Sequence, residues 1–529
     1  MQLPIGYQDF KKLRESNCYY VDKTALLYAF IDQGCYYALA RPKGFGKTLL
    51  LSTLKYIFEG EKELFKGLDI ENKWDWSKKN PVVTLSFDGP FNSSEELEAN
   101  IEAQIVALNK KYGVEDKKSH YSTLSFRFLN ILIHLKKETG RRAVVLVDDH
   151  DKPFLDVMDD PKLAQSHREA LHGFYGILKQ YSEYVEFIFF VGRTVFTQLG
   201  IFSGFNILND VTLFSRCSTI CGFTDQELDT VFGEEIKGFD REEIRHWYYG
   251  YSWSGEEKVY NPYSVLKLMQ KKEFGPWWYE DSKDKSFFER LDTLQWLRTD
   301  MDDLYGDSSF AMFEVDRLCV SAWLFQAGYL VPVKERQDSS GADYILGLPN
   351  YEVRSSLRAD FLQYLSTDVD KTKKDAKVLV EMLGKSDFTG FAKKLQSFLS
   401  TISEHCYLSD KSNRNAIQYN LAVVYSGYLP TALHAIEADF EVKRLDYRKA
   451  VFFNYPHQVV ALVIKVVRGN EDDNRDEDAI MKGEREILKT EGEENFQDSD
   501  KPVHLLHAVF GEKGYIGLAH QEVTPSIAT

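Results

Sequence analysis

To about residue 215, short apolar runs alternate with segments whose apolar positions recur every three to four residues. The apolar runs predict strands at 35–40, 82–87, 143–147 and 185–191. The helical spacing predicts helices at 23–32, 48–58, 94–110 and 166–180. Alternating helix and strand predicts a mostly parallel sheet covered on both faces. Sheets of that kind bind ligands at the C-terminal ends of their strands.

The pattern changes from about Gly222 to Tyr351, which is aromatic and mostly helical. Within it, Gln337-Asp338-Ser339-Ser340-Gly341 predicts a hairpin or wing between 329–334 and 343–346. Residues 353–402 read as amphipathic helices acting as a connector. Strands return at 449–453, 459–467 and 503–510. The acidic stretch 470–500 between the last two has little apolar periodicity and reads as a solvated insert.

Two of the predicted strands carry chemistry at their ends. The strand at 35–40 runs into Arg41-Pro42-Lys43-Gly44-Phe45-Gly46-Lys47-Thr48 and then a helix. Backbone N–H groups at that helix start face an anion, and the helix dipole favours it. Gly44 and Gly46 let the backbone curl around phosphates. Lys47 is placed to reach the β- and γ-phosphates, and the Thr48 hydroxyl to bind Mg²⁺. The strand at 143–147 ends in Asp148-Asp149. Asp148 is expected to hold the ion through water, and Asp149 to position the attacking water. The general phosphate-loop pattern begins with Gly where this chain has Arg41.

A chain of 529 residues with a net charge of −16 implies several domains and argues against nonspecific nucleic-acid binding over the whole surface. A local basic groove remains compatible with that charge. No run of about 18 apolar residues occurs, so no membrane span is expected. The N-terminus shows no secretory pattern. Cys18, Cys35, Cys217, Cys221, Cys319 and Cys406 are scattered without zinc-ligand pairing. Reduced thiols in a cytoplasmic protein are expected.

A longer series of motifs then appears in order. It includes Leu3-Pro4-Ile5-Gly6, Tyr20-Val21-Asp22-Lys23-Thr24, the 41–48 loop, and Asp148 followed by Asp151-Lys152-Pro153. It continues through Ile201-Phe202-Ser203-Gly204, Cys221-Gly222-Phe223-Thr224, Trp247 to Tyr251, Tyr260 to Ser264, Phe325 to Leu330, and Leu348 to Arg354. This series resembles the bacterial AAA-ATPase-like proteins that carry a C-terminal PD-(D/E)XK nuclease-superfamily domain. In that family the loop itself reads Arg-Pro-x-x-Phe-Gly-Lys-Ser/Thr, so Arg41 is typical of it.

The resemblance implies an α/β fold: a P-loop NTPase αβα core at 1–220, then a helical lid and winged-helix-like module at 221–355. A connector at 356–402 and a restriction-endonuclease-like α/β domain at 403–529 would follow. ATP and Mg²⁺ are the implied ligands. Arg41, Lys43, Gly44, Phe45, Gly46, Lys47 and Thr48 would bind the nucleotide, and Thr48 and Asp148 the metal. A DNA or protein partner would dock on the C-terminal domains.

Three departures from the family matter. Asp149 stands where the family usually has Glu, which withdraws the carboxylate by about 1.5 Å, one C–C bond. A misplacement of about 1 Å can cost on the order of a hundredfold in rate. Val191 stands where the family usually has a Thr able to sense the γ-phosphate, and Arg193 nearby reads either as supplying charge in its place or as an ordinary surface arginine. In the nuclease motif the matching positions are Glu437, Arg444, Asp446 and Val463-Ile464-Lys465. Val463 removes a metal-binding acid and Lys443 a glycine, so the residual Glu437, Asp446 and Lys465 are expected to form a degenerate, inactive site.

His150 and the aromatic run 247–253 are expected to pack rather than react. Asp22-Lys23-Thr24 reads either as an aid to seating the nucleotide or as a helix cap. The main reading is an ATP-binding protein with slow hydrolysis or a nucleotide-switch role. The alternatives are an ATP-regulated, metal-dependent DNA nuclease and a non-enzymatic interaction protein with structural ATP.

Overall fold

In the computed structural model, the described residues are 1–34, 36–115, 123–157, 160–194, 208–254, 257–282, 304–306, 313–314, 317–318, 320–338, 341–403, 428–433, 436, 438–445, 448–466, 481–487, 501–511 and 514–523. The chain divides into two units, one comprising Met1–Lys283 with Met301–Val353, the other Asp284–Asp300 with Arg354–Thr529.

The first unit is built on a parallel five-stranded sheet: β1 (Tyr36–Ala40), β2 (Val82–Ser86), β3 (Ala143–Asp148), β4 (Val185–Gly192) and β5 (Asn209–Asp210). Their spatial order is β2-β3-β4-β1-β5. The strand feeding the glycine loop and the strand ending in the two acids are therefore separated by β4 alone. Helices on the sheet bury Ile101, Phe128, Leu132 and Phe174 against Val83, Val145 and Ile188. Every residue of β3 is buried, which explains its unbroken apolar reading.

Helix ends follow their capping residues. Ser93 caps Ser94–Tyr112 by accepting from the Glu96 N–H. Asp160 caps Pro161–Gln180, with Pro at the first turn, so this helix starts earlier than its periodicity suggested. A further helix, Leu124–Thr139, is capped by Thr123 and buries Phe128, Ile131 and Leu135. It was absent from the sequence reading, as was the two-residue β5.

A second cluster in the same unit joins the helices Asp225–Phe232, Arg241–Tyr248 and Pro262–Lys271 around Phe232, Tyr248 and Leu268. Val21 is part of this cluster, and Leu3 and Tyr19 pack on it. The chain start is thus built into the helical part. Val331–Asp338 and Gly341–Gly347 pair antiparallel, as the predicted hairpin requires, and Leu304–Gly306 pairs with the second of them.

The second unit holds a mixed sheet whose strands run in chain order: Glu441–Leu445, Arg448–Asn454, Val459–Val466, Val503–Gly511 and Gly514–Val523. Neighbours are antiparallel except Val459–Val466 with Val503–Gly511. A parallel pair requires a crossover connection. The acidic stretch is that crossover, so a solvated insert is not its whole character. Residues 481–487 within it are helical, with Met481 and Glu484 buried.

The stretch read as a connector is also more than a link. Helices Val369–Gly384 and Phe388–Leu399 contribute Leu379, Leu395 and Phe398 to one core with Val460, Leu462 and Leu506. Among the described residues, no helix is long and apolar enough to cross a membrane.

Candidate functional site

β1 delivers the chain to its glycine loop with φ of +84° at Gly44 and +88° at Gly46. A side chain at either position would face left-handed backbone, and at Gly44 a Cβ would also lie 3.1 Å from Tyr263. Gly46 is the N-cap of Lys47–Phe58 and carries no side chain to occupy the helix end. The first turn's N–H groups are therefore left for an anion. Phe45 anchors the loop from below, edge-on to Tyr251 at 4.8 Å and Trp253 at 5.4 Å.

The loop borders a cavity of about 350 Å³. That size lies within the usual range for small-ligand sites. Its polar wall contains Lys47, Thr48, Asp149 and Arg193. Its less polar wall comes from far along the chain: Ile5, Tyr7 and Val21 from the N-terminus, Phe223, Phe232 and Leu266 from the helical part. These positions were not marked as site residues in the sequence. Ile5, Val21 and Phe223 fall within the motif series, whose apolar positions carry no chemistry of their own, while Tyr7, Phe232 and Leu266 fall outside it.

Lys47 is buried, and its ammonium donates to the carbonyls of Arg41 at 2.9 Å and Pro42 at 3.1 Å. Burial holds its pKa below the ordinary lysine value; Asp149 opposes that shift and Arg193 adds to it. The ammonium is held by neutral carbonyls and can move to a phosphate.

Asp148 at the end of β3 is buried, and its carboxyl is pushed up to about 6. Burial is the main cause and the Asp149 carboxylate adds to it, while the Thr48 hydroxyl and Lys47 pull the other way. Asp148 also accepts the Asp149 N–H at 3.0 Å. A desolvated acid beside a threonine hydroxyl at a phosphate loop fits a divalent cation, because the added charge relieves the cost of burying the carboxylate. Thr48 and Asp148 are the residues that would hold Mg²⁺. Asp149 follows with φ +47°, a left-handed conformation that Asp tolerates better than most residues.

Arg41 is placed differently from the other loop residues. Its guanidinium is fully buried and donates to the carbonyls of Ala40, Thr212 and Cys217. It lies 3.9 Å over the Trp253 ring. Burial lowers it to about 10, so it stays charged at neutral pH. The side chain braces β1 against the segment after β5, and does not line the cavity as the binding role expected for it would require. Lys43 lines the cavity with its stem while its ammonium pairs with Asp281 at 2.9 Å.

Of Asp22, Lys23 and Thr24, Lys23 faces the cavity. Asp22 accepts from the Thr24 N–H and hydroxyl, which orders the start of Thr24–Gln33. His150 is buried with its ring edge-on to Phe190 at 5.8 Å, in keeping with packing.

In the second unit, Glu437 and Asp446 lie outside the described residues. Val463 is buried between Ala450 and His507. Lys465 pairs with Glu484 at 2.5 Å, and the second oxygen of Glu484 lies 3.0 Å from His507 Nδ1. Sequence reasoning placed Glu484 in a solvated insert and did not bring it to Lys465. Among the described residues no cluster of His, Cys, Asp and Glu could hold a metal. Cys18, Cys217 and Cys221 are buried and carry free thiols.

Residues 4–202 match the family model described as "Predicted AAA-ATPase". The chain is also 34% identical over 515 residues to a protein of Azotobacter chroococcum mcd 1 described as an uncharacterized protein in the vnfD 5′ region. That alignment covers 96% of this chain and 96% of the relative. The chain and this Azotobacter protein thus belong to one family, and the match of residues 4–202 to the AAA-ATPase-like model supports a nucleotide-binding, ATPase-like function.

Proposed function

We propose that the chain binds Mg·ATP in the 350 Å³ cavity of the first unit and hydrolyses it slowly, or uses it as a conformational switch. The observation that carries this reading is the convergence of Lys47, Thr48, Asp149 and Arg193 on one cavity, with Asp148 beside Thr48. Lys47 exchanges its two loop carbonyls for the β- and γ-phosphates. The N–H groups of the first helical turn take the remaining phosphate oxygens. Ile5, Val21, Phe223 and Leu266 exclude water from the base. Mg²⁺ on Thr48 and Asp148 would supply charge neutralisation between the β- and γ-phosphates.

Asp149 orients the attacking water, and its short side chain makes that step slow. Arg193 supplies positive charge where Val191 offers no hydrogen bond. Both walls of the cavity respond to the ligand, so occupancy changes how the helical part seats on the glycine loop. The test is steady-state ATP turnover by the purified chain with and without DNA. A slow, Mg²⁺-dependent rate abolished by Lys47→Ala is expected. Turnover unaffected by that substitution would refute the site.

The second unit is proposed to serve as a binding module. Val463 fills the position where a metal-binding acid would stand, and Lys465 is neutralised by Glu484. Both features favour a retained fold without metal-dependent cleavage.

A further inference from the structure

The end of β4 is held from three sides. The Arg41 N–H donates to the Gly192 carbonyl at 3.0 Å, and the His150 N–H donates to the Val191 carbonyl at 3.3 Å. The third hold is Asp151, which is 1% exposed. A single oxygen, Oδ2, accepts from the Arg193 N–H at 2.7 Å, the Thr194 N–H at 2.7 Å and the Thr194 hydroxyl at 2.8 Å. Gly192 lets this approach occur: a Cβ there would lie 2.6 Å from Asp151 Oδ1.

The side chain that emerges from this clamp is that of Arg193. It is exposed and lines the cavity beside Lys47 and Asp149. Val191 is buried and apolar, so it cannot read a phosphate. Thr194 is turned inward to Asp151. Among the described polar groups at this strand end, Arg193 is therefore the one facing the cavity.

We propose that Asp151 is a positioning residue that fixes Arg193 to recognise the γ-phosphate, so that the chain distinguishes a nucleoside triphosphate from a diphosphate. This rests on the nucleotide reading of the cavity and adds the element that reads the ligand's state. A carboxylate accepting several backbone N–H bonds is a strong, low-entropy clamp. It orders the backbone on which Arg193 stands, so the guanidinium is aimed before the ligand arrives. It also ties the acid-bearing loop after β3 to the strand end after β4. A γ-phosphate contacting Arg193 thereby acts on the loop that carries Asp149.

The experiment compares the affinities of ADP and a non-hydrolysable ATP analogue, both with Mg²⁺, by calorimetry. The wild type is expected to prefer the triphosphate by about tenfold or more, the worth of one charge-assisted hydrogen bond. Arg193→Ala and Asp151→Ala should each bring that preference close to unity, losing more affinity for the triphosphate analogue than for ADP. The double variant should lose no more than either single one, because Asp151 acts through Arg193. Additive losses, or a preference that survives Asp151→Ala, would overturn the proposal and leave the nucleotide site standing. Binding of neither nucleotide by the wild type would overturn both. Asp151→Asn keeps the acceptor oxygen and the volume, so it serves if Asp151→Ala fails to fold. It should retain most of the preference; losing it at unchanged thermal stability would show that Asp151 acts by its charge and not by positioning.

Discussion

The Lys23 ammonium donates to both carboxylate oxygens of Glu227, each at 2.6 Å, across 204 residues of sequence. Lys23 precedes the first long helix, and Glu227 lies in the first turn of Asp225–Phe232. Glu227 also accepts the Thr224 N–H at 2.8 Å, closing the capping box of that helix. One carboxylate thus starts a helix and fastens it to the N-terminal segment at the cavity edge.

The two partners should not be equivalent on mutation. Glu227→Ala leaves the buried Lys23 ammonium without its anion and removes half of the capping box. A loss of about 3 kcal/mol is expected. Lys23→Met keeps the apolar stem and leaves the more exposed Glu227 to water, so about 1 kcal/mol is expected. Thermal or urea unfolding of both variants checks the ordering. Equal losses would mean that the pair does not hold the helix in place.

Asp149→Glu should raise ATP turnover, by up to about tenfold, because the longer side chain returns the carboxylate toward the attacking water. It should also cost about 1 kcal/mol of stability, since φ at this position is +47° and Glu accepts left-handed backbone less readily than Asp. Steady-state hydrolysis and unfolding, measured on one preparation, test both halves. A fall in turnover would remove Asp149 from the water-positioning role.

Asp148 gives a pH dependence whose sign follows from its raised pKa of about 6. Between about pH 4 and pH 6 the unfolded carboxyl has ionised while the folded one holds its proton. The unliganded protein therefore loses this contribution as pH rises through that window, and it is absent above about 6. Magnesium binding requires the ionised form, so the change in melting temperature on adding Mg·ATP should be larger at about pH 7.5 than at about pH 5.5. An equal or larger gain at the lower pH would separate Asp148 from the metal.

No cleavage of single- or double-stranded DNA is expected with Mg²⁺ or Mn²⁺. Val463 is 2% exposed, and an apolar side chain there cannot offset the dehydration of Mg²⁺. Lys465 is already engaged by Glu484. Incubation of the purified chain with both substrates checks this. Cleavage lost on Asp446→Ala would show an active site in this unit.

The parallel sheet and both ligand-facing strand ends could be read in the sequence because each depends on local order. An apolar run followed by Gly-x-Gly-Lys-Thr, or by two acids, has few other structural uses. Contacts between distant segments left no such trace. Nothing near Lys23 points to Glu227, and nothing near Ile5 or Val21 points to Phe223 and Leu266. The Arg41 side chain could not be placed either, because its carbonyl partners at Thr212 and Cys217 lie far along the chain. The acidic crossover misled through composition. Its charges outweigh Met481 and Glu484, whose burial depends on a sheet formed by other segments.

The central claim is that the Lys47 loop holds the phosphates of Mg·ATP, and calorimetric titration of the wild type and Lys47→Ala tests it most directly. The wild type should bind, and the variant should lose binding by about a hundredfold or more, because the phosphate charge then lacks its principal partner. Equal affinity in the two proteins would contradict the assignment of the site.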